Sequence, residues 1–528
     1  MVELLRLYRS ISHYIYFGLL IIIAVSLPFS VYVISMCEIG LLINLILEGD
    51  YKNRFQNILH RKSVLIFLCI YAVHIIWLIG TSDFSFALEN LRIKLPLFVL
   101  PVIIAASLPL NPDRIKLLFK FFIASIVVAT LFSTAIYLGL TPYVVNDIRR
   151  ISIFISHIRF SLLIVIAILV LLNWMVTEGW KITRAQLIKL IIVVWLIVFL
   201  LILKSFTGMV VLIVTTLVLI LTFILTVKFK FLKIGLIILL FAIPLISVIV
   251  VKKEIKEFYN FDKIDIKSIE KKTVNGNAYS NNPNDWNVEN GHKVWMYVCQ
   301  PELRKEWNKR SNYKYDSFDI KQQPLVFTLI RYMTSKGLKK DSVGITQLTP
   351  VDINSIEHGI TNVIYTSKLG LKPRLYEVIW EFDQYKHGSG VNKHSVTQRI
   401  IYAQIALYLI KDNFWFGIGT GDLPMEYVNY YETHETGLSK DRQLHTHNEF
   451  LRLFVLFGFF GFLIIIAAFI IPVFIERKWS SYYLIMIITI VFLSFLNEDT
   501  LETQIGVTFS TLFYSLFLWG SKKESPTE

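Results

Sequence analysis

The sequence has few charged residues and few cysteines for its length. Only 17% of its 528 residues are charged and 55% are hydrophobic, whereas soluble domains average about 25% charged and about 45–50% apolar residues. This balance excludes a soluble enzyme and a disordered chain. Three cysteines, Cys37, Cys69 and Cys299, are too few for a disulfide framework or a four-thiolate zinc site. The composition therefore predicts a polytopic membrane protein, in which the formal charge of +14 must first be divided among the loops.

Apolar runs recur along the chain and predict an all-α membrane protein with about twelve transmembrane helices of about 20 residues each. The first run, 11–47, is too long for one span and is interrupted at Leu27-Pro28, so we interpret it as a hairpin of two spans. The chain is predicted to divide into an N-terminal bundle (1–251), a large hydrophilic region (252–448) and C-terminal spans with a tail (449–528). The other predicted spans are 63–80, 88–107, 117–139, 157–177, 187–203, 206–226, 231–250, 449–471, 481–496 and 505–519.

Lys and Arg cluster in alternate connections between these spans, and basic connections stay on the cytoplasmic side. Both termini are therefore predicted to be cytoplasmic, and the hydrophilic region is predicted to be one mainly helical, extracytoplasmic domain. Its residues 395–412 have a helical pattern with Ser395 as a candidate N-cap. The short outer loops are nearly free of Lys and Arg and include the acidic turn Asn497-Glu498-Asp499. The N-terminal basic stretch and apolar run resemble a signal peptide without a cleavage site, which favours an uncleaved first span.

Six basic residues contradict this topology, because they lie near the predicted outer ends of spans. Each has an ordinary explanation: Arg92 can pair with Glu89 one turn away, and lysines can extend toward the interface. Six such residues on one face are better explained by a polyanionic ligand, such as the phosphate or pyrophosphate of a lipid. They are Arg92, Lys94, Arg149, Arg150, Arg159 and Lys204.

The strongest local motif is Leu444-His445-Thr446-His447-Asn448-Glu449-Phe450-Leu451, where the hydrophilic region meets the next span. His447 and Asn448 are predicted to occupy the first helical turn, where free backbone N–H groups favour anions. A neutral imidazole there can accept a proton at physiological pH. Two alternatives stay open. Either residue can simply cap the helix, or His445 and His447 can bind a metal with His434 and Glu435, although residues two apart converge on a metal only from an extended segment.

Three alternating glycines, Gly417, Gly419 and Gly421, follow the 395–412 helix. A nucleotide-binding loop is excluded, because the spacing is not G-x-G-x-x-G, no P-loop lysine follows and Pro424 interrupts the next helix. The glycines are predicted instead to permit a tight turn or the close approach of another segment.

The order of these elements resembles the O-antigen ligase and polymerase family, membrane glycosyltransferases of the GT-C type. The matching elements are Arg399, the turn from Asn413 to Gly421, His447-Asn448 with Leu451, and Gly458-x-x-Gly461. The resemblance implies that a glycan on an undecaprenyl pyrophosphate carrier is transferred to an acceptor sugar on the periplasmic face of the bacterial inner membrane. It also implies that the reaction needs no nucleotide, metal or other cofactor. The family's essential histidine corresponds to His447, and an essential arginine of its large loop corresponds to Arg399.

Two positions depart from the family pattern. A second arginine of the family usually follows a serine, as Ser-Arg-Gly, whereas this chain has Lys204-Ser205-Phe206-Thr207-Gly208. Lys204 or Arg159 is expected to supply that charge. An acidic residue often found two positions before the first glycine of the Gly-x-x-Gly motif is Leu456 here, so we expect the substrate or acceptor preference to differ.

The residue types fit this chemistry, because a sugar on pyrophosphate needs only a base for the acceptor hydroxyl and cations for the departing anion. We expect His447 to accept the proton and Arg399 to face it across one cavity while binding the pyrophosphate, with inversion at the anomeric carbon. The predicted substrate-binding residues are Asn448, Arg159, Lys204, Lys94, Arg92 and His445.

Three functions are compatible with the sequence. The first, favoured because the hydrophilic region is large, is a ligase for lipopolysaccharide biosynthesis that uses a lipid A-core or another glycan acceptor. The second is a polymerase that joins repeat units, and the third is a transporter that binds the lipid pyrophosphate without reaction. The predicted partners are the carrier-linked glycan, the acceptor and the bilayer, with no nucleic acid. An aromatic group can contact sugars or pack in a core: Trp286, Trp295, Tyr297, Trp307, Tyr313 and Tyr315.

Overall fold

The computed structural model describes residues 2–143, 148–179, 183–227, 229–262, 269–367, 372–388, 391–392 and 394–522, and these residues are mostly helical. In chain order the elements are α1 (Val2–Ser26), α2 (Val31–Glu48), α3 (Tyr51–His60), α4 (Lys62–Ile76), α5 (Phe84–Lys94), α6 (Pro96–Ala106), α7 (Pro112–Tyr137), α8 (His157–Thr177), α9 (Arg184–Ile202), α10 (Phe206–Thr226), α11 (Lys230–Phe258), β1 (Val288–Glu289), β2 (His292–Lys293), α12 (Gln300–Arg310), α13 (Leu325–Ser335), α14 (Ser342–Thr346), α15 (Pro350–Glu357), α16 (Lys372–Lys386), α17 (Ser395–Asp412), α18 (Leu423–Thr433), α19 (Glu449–Ile475), α20 (Tyr482–Phe495) and α21 (Gln504–Leu518). Short 3₁₀ helices lie at Ile148–Ile151, Val363–Thr366, Lys440–Arg442 and Thr500–Glu502.

Within the described residues, seven helices are long and apolar enough to cross a membrane: α2, α7, α8, α9, α10, α11 and α19. The bent pair α3 and α4 is an eighth candidate, and Ser10–Ser26, α20 and α21 are shorter apolar helices. The prediction of an all-α polytopic membrane protein is confirmed. The number of about twelve spans, the cytoplasmic termini and the periplasmic side of the hydrophilic region stay predictions.

Proline residues explain why one predicted N-terminal feature agrees with the structure and another differs from it. The predicted hairpin is present, since α1 and α2 are separated around Leu27-Pro28 and pack against each other. The predicted span 88–107 is instead two helices, α5 and α6, separated at Leu95. Pro96 is the first residue of α6, and because it has no backbone N–H it cannot continue the hydrogen bonding of α5.

The chain divides into two compact units, Met1–Leu240 with Gly388–Glu528, and Phe241–His387. The second unit is thus shorter than the predicted hydrophilic region 252–448. The remainder of that region belongs to the first unit because α17 packs on α19 and buries Ile401, Tyr402 and Ile405 in the large apolar core.

Two helices form the centre of the first unit. In α8 every residue from Phe160 to Leu171 is buried, and α21 is buried from Ile505 to Leu518. A helix that is apolar on all sides belongs inside a bundle. Both helices pack against α20, so the short connection from α20 to α21, residues 496–503, leads from a helix that contacts both of them into the buried α21.

The second unit has its own apolar core. Trp307 and Tyr315 of the aromatic group are fully buried in it, beside Leu303, Leu329 and Met333. The core interpretation is therefore confirmed for these two aromatic residues.

Candidate active site

The connection 496–503 collects the side chains predicted to form the site. Asn497 accepts a hydrogen bond from the Arg399 guanidinium. Glu498 forms an ion pair with Arg159 at 2.8 Å. The Asp499 carboxylate lies 3.8 Å from Nδ1 of His447. Three consecutive residues of one connection thus contact three predicted site residues that are far apart in the sequence.

His447 is held just before the N-terminus of α19 by its neighbour Asn448. The helix begins at Glu449, and the Asn448 side chain caps it by accepting a hydrogen bond from the Leu451 N–H at 3.0 Å. The Asn448 amide also donates to the Leu496 carbonyl at 3.1 Å. The prediction that both residues lie in the first turn was wrong, because Asn448 lies one residue and His447 two residues before the helix begins; the alternative that Asn448 is a cap is confirmed. Because Asn448 is the cap, His447 lies just before the helix, and its side chain is beside the 496–503 connection.

The three basic side chains, Arg399, Arg159 and His447, converge on the connection. Burial raises the pKa of Glu498, although Arg159, His447 and Arg399 all oppose this through their charges. Burial also acts to raise the pKa of Asp499, but its contact with His447 outweighs burial and lowers that pKa. An ionised Asp499 beside Nδ1 is suited to orient the imidazole, as carboxylates do for catalytic histidines.

Arg399 reaches the connection from α17, whose bounds, 395–412, agree with the prediction. The N-cap is His394, without a side-chain capping bond, so the assignment of Ser395 as the N-cap was wrong because its backbone is already helical. The Asn497 amide that binds Arg399 also donates to the hydroxyl of Thr207. The side chain of Asn497 therefore links α17 to the first turn of α10.

The segment that replaces the family's Ser-Arg-Gly pattern lies beside α8. Ser205 caps α10, and Lys204 before it has a positive φ of 50°. A Cβ added to Gly208 would lie 2.6 Å from the Cβ of Ser161, two residues after Arg159. Lys204 and Arg159, the two candidates for the second family cation, therefore belong to packed neighbouring helix ends.

Lys94 is fully buried and does not extend to a membrane interface as the simplest explanation supposed. It donates to Asn90 at 2.6 Å and pairs with Glu502, which also pairs with Arg452 at 2.7 Å. Burial acts to raise the pKa of Glu502, but the charges of Arg452 and Lys94 outweigh it and lower the pKa. Through this ion pair with Glu502, Lys94 supports the connection, and its contact with substrate stays a prediction.

The other predicted cations lie elsewhere. Arg92 pairs with Glu89 at 3.5 Å and both side chains are exposed, which confirms the ordinary explanation for this arginine. Arg149 and Arg150 line a shallow surface cavity of about 410 Å³ that also includes His157. The structure therefore does not gather all six basic residues around one ligand site.

The glycine turn closes on a break in α19. Gly458 has a φ of 61°, and the helix is interrupted there. In a continuous helix the Val455 carbonyl would accept from Phe459. It accepts instead from Ile418 at 3.0 Å, while the Phe459 N–H donates to the Phe414 carbonyl at 2.7 Å. The glycine turn and the break in α19 thus form hydrogen bonds with each other's free backbone groups. In a membrane interior such groups must be paired within the protein.

The same contact explains why glycine is needed. A Cβ on Gly417 would lie 2.4 Å from the Leu456 carbonyl oxygen, and a Cβ on Gly458 would lie 2.4 Å from the Phe416 nitrogen. Gly421 approaches the Asp83 carbonyl as closely, at 2.3 Å. The predicted close approach of another segment is confirmed.

Replacing Gly458 with alanine is expected to lower the midpoint of thermal unfolding clearly. The variant adds a backbone strain of about 1–3 kcal/mol at a positive φ to a clash with the 414–419 turn. The purified protein would be melted in detergent beside the control Gly18→Ala, since a Cβ on Gly18 meets nothing within 4 Å. Equal midpoints for the two variants would show that the close contact does not stabilise the fold.

His445 makes the stability of the folded protein depend on pH. It lies against the ring of Tyr427, with 6.1 Å between ring centroids. Burial, aided by the charge of Arg452, lowers the pKa of His445 from 6.5 to about 4. Because the unfolded chain then binds this proton at higher pH than the folded chain, stability falls as the pH drops from 6.5 toward about 4.

We therefore expect acid to lower the melting midpoint of the wild type more than that of His445→Asn. Melting curves of both proteins across this pH interval measure the difference. If the two midpoints fall in parallel, the protonation of His445 makes no contribution to acid unfolding.

Sequence reasoning missed the acidic and amide partners of the basic residues. Asn497, Glu498 and Asp499 were noted only for their topology, and Glu502 and Arg452 were not noted at all. The available signal was an acidic turn between two apolar spans, because carboxylates placed there need partners. Among the described residues, no group of three or more His, Cys, Asp or Glu side chains is arranged to hold a metal; metal independence itself stays a prediction.

Fold and site together define a polytopic helical membrane protein with an imidazole, three guanidinium groups and three carboxylates gathered at one interhelical connection. Residues 358–466 match the family described as O-antigen ligase, and this match supports the O-antigen ligase-like assignment. The matched segment contains Arg399, the glycine turn, His447 and Gly458. The family implies a glycosyltransferase-type activity on a glycan or lipid-linked substrate at a membrane. No curated protein matches the chain significantly.

Proposed function

We propose that this protein transfers a glycan from an undecaprenyl pyrophosphate carrier to an acceptor sugar on the periplasmic face of the bacterial inner membrane. One observation carries the proposal: Asn497, Glu498 and Asp499 contact Arg399, Arg159 and His447, respectively. The residues that we propose as the base and as the two phosphate-binding groups therefore contact the same short connection.

His447 is the proposed general base. Its Nδ1 faces Asp499, which leaves Nε2 for the acceptor, and its side chain is 33% exposed. The acceptor hydroxyl oxygen forms a bond to the anomeric carbon while its proton passes to Nε2. The bond from that carbon to the phosphate oxygen breaks, and the electron pair leaves with the carrier pyrophosphate. A single displacement of this kind inverts the anomeric centre.

Arg399 and Arg159 are the proposed pyrophosphate ligands, with Lys204 in support. The planar guanidinium group suits bidentate phosphate contact. Arg159 pairs with Glu498 through Nη2, whereas its Nε is buried and lacks a hydrogen-bond partner within the described part of the chain. A buried N–H group without an acceptor is costly, and an oxygen of the leaving phosphate would satisfy it.

Reconstitution tests the reaction itself. The purified protein is mixed with carrier-linked glycan and a lipid A-core acceptor, and the products are analysed by mass spectrometry. A new glycosidic bond with free carrier pyrophosphate supports the transferase. Movement of the intact carrier-linked glycan across vesicle membranes, without formation of a glycosidic bond, would instead establish the transporter. Full activity in chelator is expected, and inhibition that zinc reverses would restore the metal hypothesis for His445 and His447.

Glycan analysis of a deletion strain separates ligase from polymerase. Long carrier-linked chains that remain unattached indicate the ligase, which we propose. Acceptor that carries only single repeat units would identify the polymerase instead.

A further inference from the structure

A cavity of about 270 Å³ lies within the second unit, between the β1–β2 hairpin, α13 and α16. This volume is close to the lower end of the range of small-ligand pockets, roughly 300–1,000 Å³. Three aromatic side chains, Trp295, Phe327 and Trp380, line it together with Arg331 and Gln384. All of these residues belong to the compact unit Phe241–His387.

The aromatic rings of the cavity differ from those of the core. Trp307 and Tyr315 are fully buried, whereas Phe327 is 50% exposed and Trp295 is partly exposed. Trp295 and Phe327 stand nearly perpendicular, at 84° with 6.1 Å between centroids. Two rings at this angle form a partly exposed corner of apolar surface at the edge of the core, against which Trp295 packs.

Arg331 is fixed in the cavity wall. Its Nε donates to Glu289 at 2.7 Å, and its guanidinium lies 4.8 Å from the ring centre of Trp380. Glu289 is 1% exposed, and its second carboxylate oxygen accepts from Asn362 at 2.6 Å. The guanidinium is therefore held in one orientation and does not have to be ordered when a ligand binds.

Charge decides which ligand class fits. Arg331 and Glu289 cancel each other, so the wall offers fixed hydrogen-bonding groups without a net charge for phosphate. A sugar ring has apolar C–H faces and a rim of hydroxyl groups. It therefore matches aromatic surfaces bordered by a guanidinium and the Gln384 amide.

We propose that this cavity binds one uncharged sugar residue of a glycan. That this glycan is the one transferred rests on the proposed function, whereas binding by the cavity does not require the transfer reaction.

Calorimetric titration of the full-length protein in detergent tests the cavity. The probe is the water-soluble glycan released by mild acid from the carrier-lipid fraction of cells that encode the protein. Wild type is expected to bind it, and Trp295→Ala, Trp380→Ala and Phe327→Ala are each expected to raise the Kd about tenfold. The matched control is Trp286→Ala, because Trp286 stacks on His387 and does not line the cavity.

Phe327→Ala keeps the test decisive if a tryptophan variant fails to fold, because exposed side chains contribute little to stability. Absence of glycan binding by wild type, or an unchanged Kd in folded Phe327→Ala, would overturn the cavity inference. Transfer by the wild type in the reconstituted assay would then still support the proposed function. Conversely, cavity-dependent binding without any transfer would support the cavity and contradict the transferase.

Discussion

Replacing His447 with alanine is expected to reduce glycan transfer by about 10²–10⁴-fold, the usual contribution of a general base. The imidazole is proposed to take the acceptor proton, and alanine leaves no group beside Asp499 to do so. Folding should be preserved, because the side chain is 33% exposed and the α19 cap is supplied by Asn448. Initial rates in the reconstituted assay, with melting midpoints measured in parallel, give the result.

The matched control is His434→Ala. His434 stacks on Tyr430, follows α18 and also belongs to the first unit, so its loss removes a histidine without touching the 496–503 connection. Normal transfer by folded His447→Ala would remove this residue from the mechanism. A loss of transfer that follows the loss of folded protein would assign His447 a structural role instead.

Replacing Arg399 with alanine is expected to reduce transfer by about 10²–10³-fold, as for the removal of one group that stabilises developing negative charge. The guanidinium is proposed to bind the pyrophosphate that gains charge as the sugar leaves. Arg399→Lys should recover only part of the rate, since lysine keeps the charge but loses the planar fork. Steady-state rates at saturating acceptor, with the donor concentration varied, separate the effect on kcat from the effect on KM.

Arg442→Ala provides the comparison for Arg399. Arg442 has a half-exposed side chain paired with the adjacent Asp441, and its contact with Tyr402 is made by the backbone carbonyl, which alanine retains. Its transfer rate should equal that of the wild type. If Arg399→Lys also has the wild-type rate, a bidentate contact with pyrophosphate is ruled out.

Local patterns in the sequence were sufficient to predict several helices of this protein and the close backbone contact at its glycines. Long apolar runs predicted α8 and the α1–α2 hairpin, because a helix that crosses a bilayer must satisfy its backbone within itself. The same local chemistry predicted the 395–412 helix and the close approach at the glycines. His447 and Arg399 were found through motif order, and residues 358–466 match the family that this order indicated.

Only the tertiary structure decided which charges are partners. Arg159 and Glu498 are 339 residues apart, and Lys94 and Glu502 are 408 apart, so no local pattern relates them. The tertiary structure also placed residues 388–448 with the apolar helices, because α17 has an apolar face that α19 covers. Hydrophobicity is a property of each segment and can be recognised along the chain. The pairing of buried charges depends on which helices pack together, and packing exists only in the folded molecule.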